Sequence, residues 1–147
     1  MAKDTDIKNK IKAKLDVLQQ AGTLAEVIVD DFKKGLLDRD YSAFPVAVLQ
    51  TSAIESETIT NRDNIRTYVF EIVVLSKGED VKDATTVEDL REAIIDKFDN
   101  DPTLGNTADG AVEPSSSPAE PIPLQGGKSY IVFSILIRAR AIKTLTF

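Results

Sequence analysis

The N-terminal part of the chain carries apolar side chains at the spacing of a helix. Ile7, Ile11, Leu15 and Leu18 recur after four, four and three residues, which places them on one face. This pattern predicts a helix over residues 5–20 that packs its apolar face on a core. Gly22 suits the left-handed backbone conformation that follows many helix ends, so we expect the helix to stop there.

Runs of β-branched and apolar residues predict strands at residues 24–29, 46–49, 65–75 and 130–142. Pro45 stands at the start of the second strand, where its missing N–H does least harm. Residues 30–41 are predicted as a turn or a short helix, and residues 52–64 as a solvated loop or the tip of an extended hairpin. In the third strand, one face consists of Arg66, Tyr68, Phe70, Ile72 and Val74, and the other of Ile65, Thr67, Val69, Glu71 and Val73. The residues of the last strand predicted to face the core are Ile131, Phe133, Ile135, Ile137, Ala139 and Ala141.

A second helix is predicted over residues 87–98. Thr86 fits its N-cap and is followed by acidic residues in the first turn, where the helix dipole favours negative charge. Residues 101–127 are rich in Pro, Ser and Gly and are predicted to form a long loop within one domain that spans residues 1–147.

These elements predict an α+β fold, with an antiparallel sheet of about four strands and helices packed on one face. The length of 147 residues suffices for one such domain with its own core.

The other face of the last strand is the candidate subunit interface. It is formed by Tyr130, Val132, Leu136, Arg138 and Arg140, so it is apolar at its start and cationic near the chain end. Such a face is expected to be covered, either by another subunit or by the chain's own loops.

The composition argues against catalysis. The chain has no cysteine and no histidine, which removes the usual general base, the cysteine nucleophile and the most frequent transition-metal ligands. The segment at residues 126–129 lacks the earlier glycine of a phosphate-binding loop, because Ile122 stands there, and Leu104 stands where a calcium loop requires glycine. We therefore expect no enzyme activity, no catalytic residues, no metal site and no cofactor.

Charge is distributed unevenly along the chain. The net charge is −6, whereas residues 21–127 alone have a net charge of −12, because both ends of the chain are basic. Glu79, Asp80 and Asp83 are candidates for an acidic contact with another subunit. Specific nucleic-acid binding is not expected, because the basic residues are few and no aromatic set accompanies them.

Four segments together resemble the tail terminator proteins, also called tail-to-head joining or tail completion proteins, of long-tailed bacteriophages. They are residues 66–74 (RTYVFEIVV), 87–98 (VEDLREAIIDKF), 101–105 (DPTLG) and the final strand. The resemblance implies a structural protein of the virion tail or neck, assembled in the host cytoplasm. Its subunits would form a homo-oligomeric, hexameric ring, either at high concentration or on a partner.

The ring implied by this resemblance caps the tail tube and offers the joining surface for the head. Its partners are the tail-tube protein and a head-completion protein. DNA passes through the ring without specific binding, along a channel whose acidic wall would suit the acidic centre of this chain. The insertion at residues 108–123 is longer than the family pattern.

Two other interpretations stay open. A head-closure or neck protein, or a tail-tube protein, has similar size and strand content, but a tube protein polymerises openly whereas a terminator closes. A small α+β ligand-binding module would instead show a concave apolar pocket and would be monomeric or dimeric. No association with a membrane is expected, since the N-terminus lacks the apolar region of a signal peptide and no apolar run spans a bilayer.

Overall fold

The computed structural model describes residues 3–29, 44–58, 63–77, 81–105, 108, 112–123 and 129–144. The predicted α+β fold is confirmed. The elements in chain order are α1 (Lys3–Gln20), β1 (Glu26–Val29), β2 (Val46–Thr58), β3 (Asp63–Lys77), α2 (Val81–Asp99), β4 (Glu113–Ser116), β5 (Glu120–Pro123) and β6 (Ser129–Thr144). The prediction for residues 30–41 lies outside the described residues.

The sheet is larger than predicted and is not purely antiparallel. Its six described strands run in the order β1-β2-β3-β6-β4, and β5 also pairs with β6. β1 pairs in parallel with β2, whereas the other pairs are antiparallel. A parallel pair needs a long connection between its strands, and sixteen residues separate Val29 from Val46 in the sequence; the antiparallel expectation overlooked this length.

The apolar stripe of α1 lies against the sheet as predicted. Ile7, Ile11, Leu15 and Leu18 are buried in the main core. The helix ends in a Schellman motif, in which the Gly22 N–H donates to the Gln19 carbonyl and the next N–H donates to the Leu18 carbonyl. Gly22 has a φ of 81°, the left-handed conformation that glycine adopts without strain.

α2 packs beside α1 on the same face of the sheet and buries Val87, Leu90, Ile94 and Phe98. The helix begins at Val81, so the prediction of Thr86 as its N-cap is wrong. Residues 81–86 contain neither glycine nor proline, and nothing in them stops the helix from extending toward the N-terminus.

A short loop ties the end of α2 to α1. Asp101 Oδ1 accepts a hydrogen bond from the Gly105 N–H at 3.0 Å, and Lys14 Nζ lies 2.8 Å from Asp101 Oδ2. The Lys14 ammonium group, assisted by the Gly105 N–H, holds the pKa of the Asp101 carboxyl below its usual value. Leu104 has a φ of 51° and places its side chain fully inside the core.

β3 and β6 form the centre of the sheet, and the predicted alternation of their faces is confirmed. Every residue of β6 predicted to face the core is buried in the main cluster. On β3, the face that contains Tyr68, Phe70, Ile72 and Val74 is the buried one. The long hairpin of β2 and β3 also confirms the second alternative for residues 52–64, an extended hairpin, over a solvated loop.

The prediction of an unstructured loop at 101–127 is wrong in part. Residues 113–116 and 120–123 are strands that pair with β6 and form one edge of the sheet. Between them the Ser117 N–H donates to the Ser134 carbonyl at 3.0 Å, and Arg91 of α2 donates to the Ser117 carbonyl at 3.0 Å. Their Pro and Ser content is typical of loops, but an edge strand pairs on one side only and tolerates proline.

Candidate assembly surface

The face of the sheet away from the helices consists of two unequal halves. In one half Val46, Val48, Leu75 and Tyr130 form a second buried cluster. The Phe44 ring packs on Tyr130 with 5.4 Å between the ring centroids. This half is therefore covered by the chain itself.

The predicted interface residues are divided between these halves. Tyr130 is only 9% exposed, and Val132 packs on the second cluster, so the chain's own residues cover this end of the predicted interface. Leu136 and Arg138 are partly exposed, and Arg140 is exposed. The part of the predicted interface that a partner can reach thus begins at Leu136 and extends toward the C-terminal end of β6.

The open half continues into a three-stranded extension, which we call the arm. It consists of residues 53–58 of β2, 63–67 of β3 and 140–144 of β6. Ile54 is 54% exposed and Ile142 is 55% exposed, and the register places them on opposite faces of the arm. Because they lie on opposite faces, these two side chains do not form one continuous apolar patch, and single exposed apolar side chains are normal on protein surfaces.

Charged residues on the arm fall into paired and unpaired groups. Arg138 Nη2 lies 2.7 Å from Glu55 Oε2, across the intervening strand β3. Both side chains are largely solvated, so this ion pair contributes no more than about 1 kcal/mol to stability. Glu57 and Arg140 are both exposed, and neither has an ion pair with any described residue.

The two edges of the sheet differ in their capacity to accept another strand. The Ser117 N–H points toward β6. Since successive residues of a strand direct their backbone groups to alternate sides, the backbone of Pro114, three residues earlier, points away from β6. Between the two pairings, the β4–β5 segment has one residue more than β6, which reverses the side to which each later residue directs its backbone. The backbone of Pro121 therefore also points away from β6. Proline has no N–H to donate, so this edge is poorly suited to extend the sheet.

At the opposite side, β1 pairs only with residues 46–49 of β2. Beyond Leu49 no described strand lies on the outer side of β2. Within each strand, the backbone N–H and C=O groups of successive residues point alternately to the two sides of the strand. When this rule is followed from Ser117 through β6 and β3, the N–H and C=O groups of Ile54, Ser56 and Thr58 point away from β3. This stretch is an open strand edge within the described part of the chain.

Gln50 lies at the boundary between the two halves of the face. Its side chain is fully buried, and no described residue hydrogen-bonds either its amide nitrogen or its amide oxygen. It stands opposite Glu71 in the register of β2 and β3. A buried amide without partners costs stability.

A concave pocket of about 470 Å³ opens between the helix layer and one end of the sheet. Its walls include Pro45, Ser76, Val87, Leu90 and Ala93. The volume lies within the usual range for small-molecule sites. No residue pattern predicted this pocket, because its walls come from four separate segments of the chain.

The side chains of the three predicted acidic residues lie outside the described part of the structure. Glu79 and Asp80 lie outside the described residues, and Asp83 lies in α2 without a description of its side chain. Among the described residues no group of acidic side chains is arranged to hold a metal ion. No described helix is both long and apolar enough to cross a membrane.

Sequence reasoning missed the open edge of β2, although the alternation of residues 53–58 contains a signal. Ala53, Glu55 and Glu57 alternate with Ile54, Ser56 and Thr58, which is the period of a strand. The polar composition favoured a loop and hid that period.

Comparison of the chain with protein-family models and with curated protein sequences gives no match.

Proposed function

We propose that this chain is a structural subunit of a phage virion, similar to a tail terminator, that closes the tail tube as a ring and provides the head-joining surface. The observation that carries the proposal is the divided sheet face. Its closed half stabilises the subunit, whereas its open half presents Leu136 beside the arginines of β6 and the arm. A surface that is partly apolar and rimmed by charge suits a contact between subunits.

The resemblance to tail terminators supports the same proposal. Its four segments fall in β3, α2, the loop after α2 and β6, and three of these are central to the fold. On this proposal the chain forms a hexameric ring, contacts the tail-tube protein on one side and a head-completion protein on the other, and lets DNA pass without specific binding. Glu79, Asp80 and Asp83 are the proposed acidic wall of the channel.

The test combines purified tail tubes with the wild-type chain and two variants. Leu136→Glu places a charge in the open half of the face, whereas Val17→Glu places the same charge at an exposed apolar position on α1. Wild type and Val17→Glu are expected to form closed rings or to cap one tube end in negative-stain images. Leu136→Glu is expected to do neither, while its thermal unfolding stays close to that of Val17→Glu.

Light scattering across a concentration range completes the test. A wild-type chain that stays monomeric at every concentration and leaves the tubes uncapped would refute the proposal. Open filaments instead of closed rings would favour a tail-tube protein, and closed rings that bind heads but not tubes would favour a head-closure protein.

The pocket favours a second function, a small ligand-binding module. Its walls are mainly apolar, and they carry the hydroxyls of Thr23 and Ser76 and the carboxylate of Asp89. A screen of small apolar molecules by thermal shift tests this function. Ligands that stabilise the wild type but not an Ala93→Leu variant, whose larger side chain fills the pocket, would support it.

A further inference from the structure

We propose that the pocket between the helix layer and the end of the sheet binds an organic amine. The apolar body of the ligand fills the pocket, its ammonium group lies beside Asp89 at the mouth, and a hydrogen-bonding group at its inner end meets the Ser76 hydroxyl. The inference rests on the second proposed function, a ligand-binding module, and names the chemical class of its ligand. It does not depend on the tail terminator function, because it requires neither a second copy of the chain nor a tail tube.

The inner walls of the pocket suit an apolar body. α2 contributes Val87, Leu90 and Ala93, and Pro45, directly before β2, completes this set. Val87 and Leu90 are only 2% and 5% exposed, so a ligand that reaches them loses most of its contact with water. The volume of about 470 Å³ is large enough for an aromatic ring with a short side chain.

Ser76 adds a polar group to this apolar interior. It is 8% exposed and lines the pocket, and no described residue hydrogen-bonds its hydroxyl. A buried hydroxyl without a partner costs stability, whereas a ligand atom that donates to it or accepts from it removes that cost. The ligand that fits therefore carries a hydroxyl or a similar group at the end of its body that enters first.

The mouth of the pocket, formed by Gly22, Thr23 and Asp89, carries negative charge. Asp89 is exposed, and no described residue forms an ion pair with it. Its neighbours three and four positions away on α2 include no basic residue: Thr85, Thr86, Glu92, Ala93. Its carboxylate is therefore available to a cation that reaches the mouth.

The end of α1 adds to this charge. Gly22 and Thr23 lie within three residues of the end of the helix, whose last turn contains no basic residue. The C-terminal end of a helix carries a partial negative charge, which favours a nearby cation and disfavours an anion. The Thr23 hydroxyl can accept a hydrogen bond from such a cation. An ammonium group therefore suits the mouth, whereas a carboxylate would be repelled by the helix end and by Asp89.

Three probes that share a phenyl body test the role of charge. Phenethylamine carries an ammonium group, 2-phenylethanol carries a neutral hydroxyl of nearly the same size, and 3-phenylpropanoate carries a carboxylate. NMR titration of the full chain gives each dissociation constant, and the amides of Gly22, Thr23 and Ala93 report whether the probe occupies this pocket. Phenethylamine is expected to bind about three to ten times more tightly than 2-phenylethanol, and 3-phenylpropanoate more weakly than either.

Two matched variants assign the preference for the amine to one carboxylate. Asp89→Asn is expected to lower the affinity for phenethylamine to that for 2-phenylethanol, which itself stays unchanged. Asp96 is also exposed, lies two turns further along α2 at about 10 Å, and does not line the pocket. Asp96→Asn is expected to keep the preference, because a charge at that distance is largely screened at about 0.15 M salt. An equal loss in both variants would indicate general attraction to an acidic chain and would overturn the proposal.

Tyramine tests the inner end of the ligand, because it is phenethylamine with a hydroxyl at the far end of the ring. It is expected to bind the wild type about two to ten times more tightly than phenethylamine does. Ser76→Ala is expected to remove this gain and to leave the affinity for phenethylamine unchanged. A gain that persists in Ser76→Ala would overturn the contact with Ser76.

These outcomes separate the inference from the functions proposed above. Probes that leave the amides of the pocket unshifted at millimolar concentration would refute the ligand-binding module and this inference together. Probes that bind in the pocket equally well whatever their charge would uphold the module and overturn the assignment of an amine. Ala93→Leu, which fills the pocket, is expected to abolish binding of every probe without affecting the capping of tail tubes.

Discussion

Gln50 allows a prediction about stability that runs against the usual effect of mutation in a core. Its side chain is fully buried, and no described residue hydrogen-bonds its amide. We expect the Gln50→Leu variant to be more stable than the wild type, because leucine needs no hydrogen-bond partner and has a similar volume.

The size of the gain follows from the cost of the unsatisfied amide. A buried polar group without a partner costs about 1–3 kcal/mol, and its removal is expected to return that amount to the free energy of unfolding. For a chain of this length the entropy of unfolding is about 0.3 kcal/mol/K. The melting temperature of Gln50→Leu is therefore expected to rise by about 3–10 °C.

Urea unfolding followed by circular dichroism measures the change, with two further variants as controls. Gln50→Ala also removes the amide but leaves a cavity, and it is expected to lose stability. Gln50→Glu buries a charge opposite Glu71 and is expected to lose more than about 3 kcal/mol. A loss of about 1 kcal/mol or more in Gln50→Leu would refute the reasoning, because it would show that the amide is hydrogen-bonded after all.

Three further predictions concern the packing of α1, the ion pair between Asp101 and Lys14, and the edge of the sheet formed by β4 and β5. Leu15→Ala is expected to lower the free energy of unfolding by about 2–5 kcal/mol in urea, because Leu15 is fully buried, whereas Val17→Ala on the same helix is expected to change it by less than about 0.5 kcal/mol. The pKa of Asp101 is lowered in the folded state by Lys14, so its contribution is complete above the ordinary pKa of 3.8 and is lost as the pH falls through the lower folded value. The free energy of unfolding, measured as a function of pH, is therefore expected to be larger for the wild type than for Asp101→Asn at neutral pH, and this difference is expected to shrink below pH 3.8. A difference that stays constant with pH would contradict a stabilising ion pair between Asp101 and Lys14. Pro121→Thr restores an outward donor at the protected edge and is expected to increase concentration-dependent aggregation, measured by light scattering, relative to a Pro102→Thr control in the loop after α2.

The sequence allowed the centre of the fold to be predicted because burial there imposes strict periods. The apolar side chains of α1 lie on one face of the helix, which packs against the main core. In β6 every second residue from Ile131 to Ala141 is buried, without interruption. In both elements the side chains alone decide which face is buried, so no information about distant residues was needed. The same two periods also indicated which segments are helices and which are strands.

The edges of the sheet could not be predicted in the same way. β1 contains four residues and pairs in parallel with β2, a relation that the residue pattern of neither strand indicates. β4 consists of Glu-Pro-Ser-Ser, which is typical of a loop. Such strands are held by one neighbour, and their composition reflects protection of an edge more than burial.

The candidate surface shows the same division. Alternation correctly separated the two faces of β6, but it could not indicate that Phe44 covers Tyr130, because the two lie more than eighty residues apart in the chain. The signs of the charges on Glu57 and Arg140 were readable from the sequence. Their placement on opposite edges of one face became evident only when β3 was seen between them.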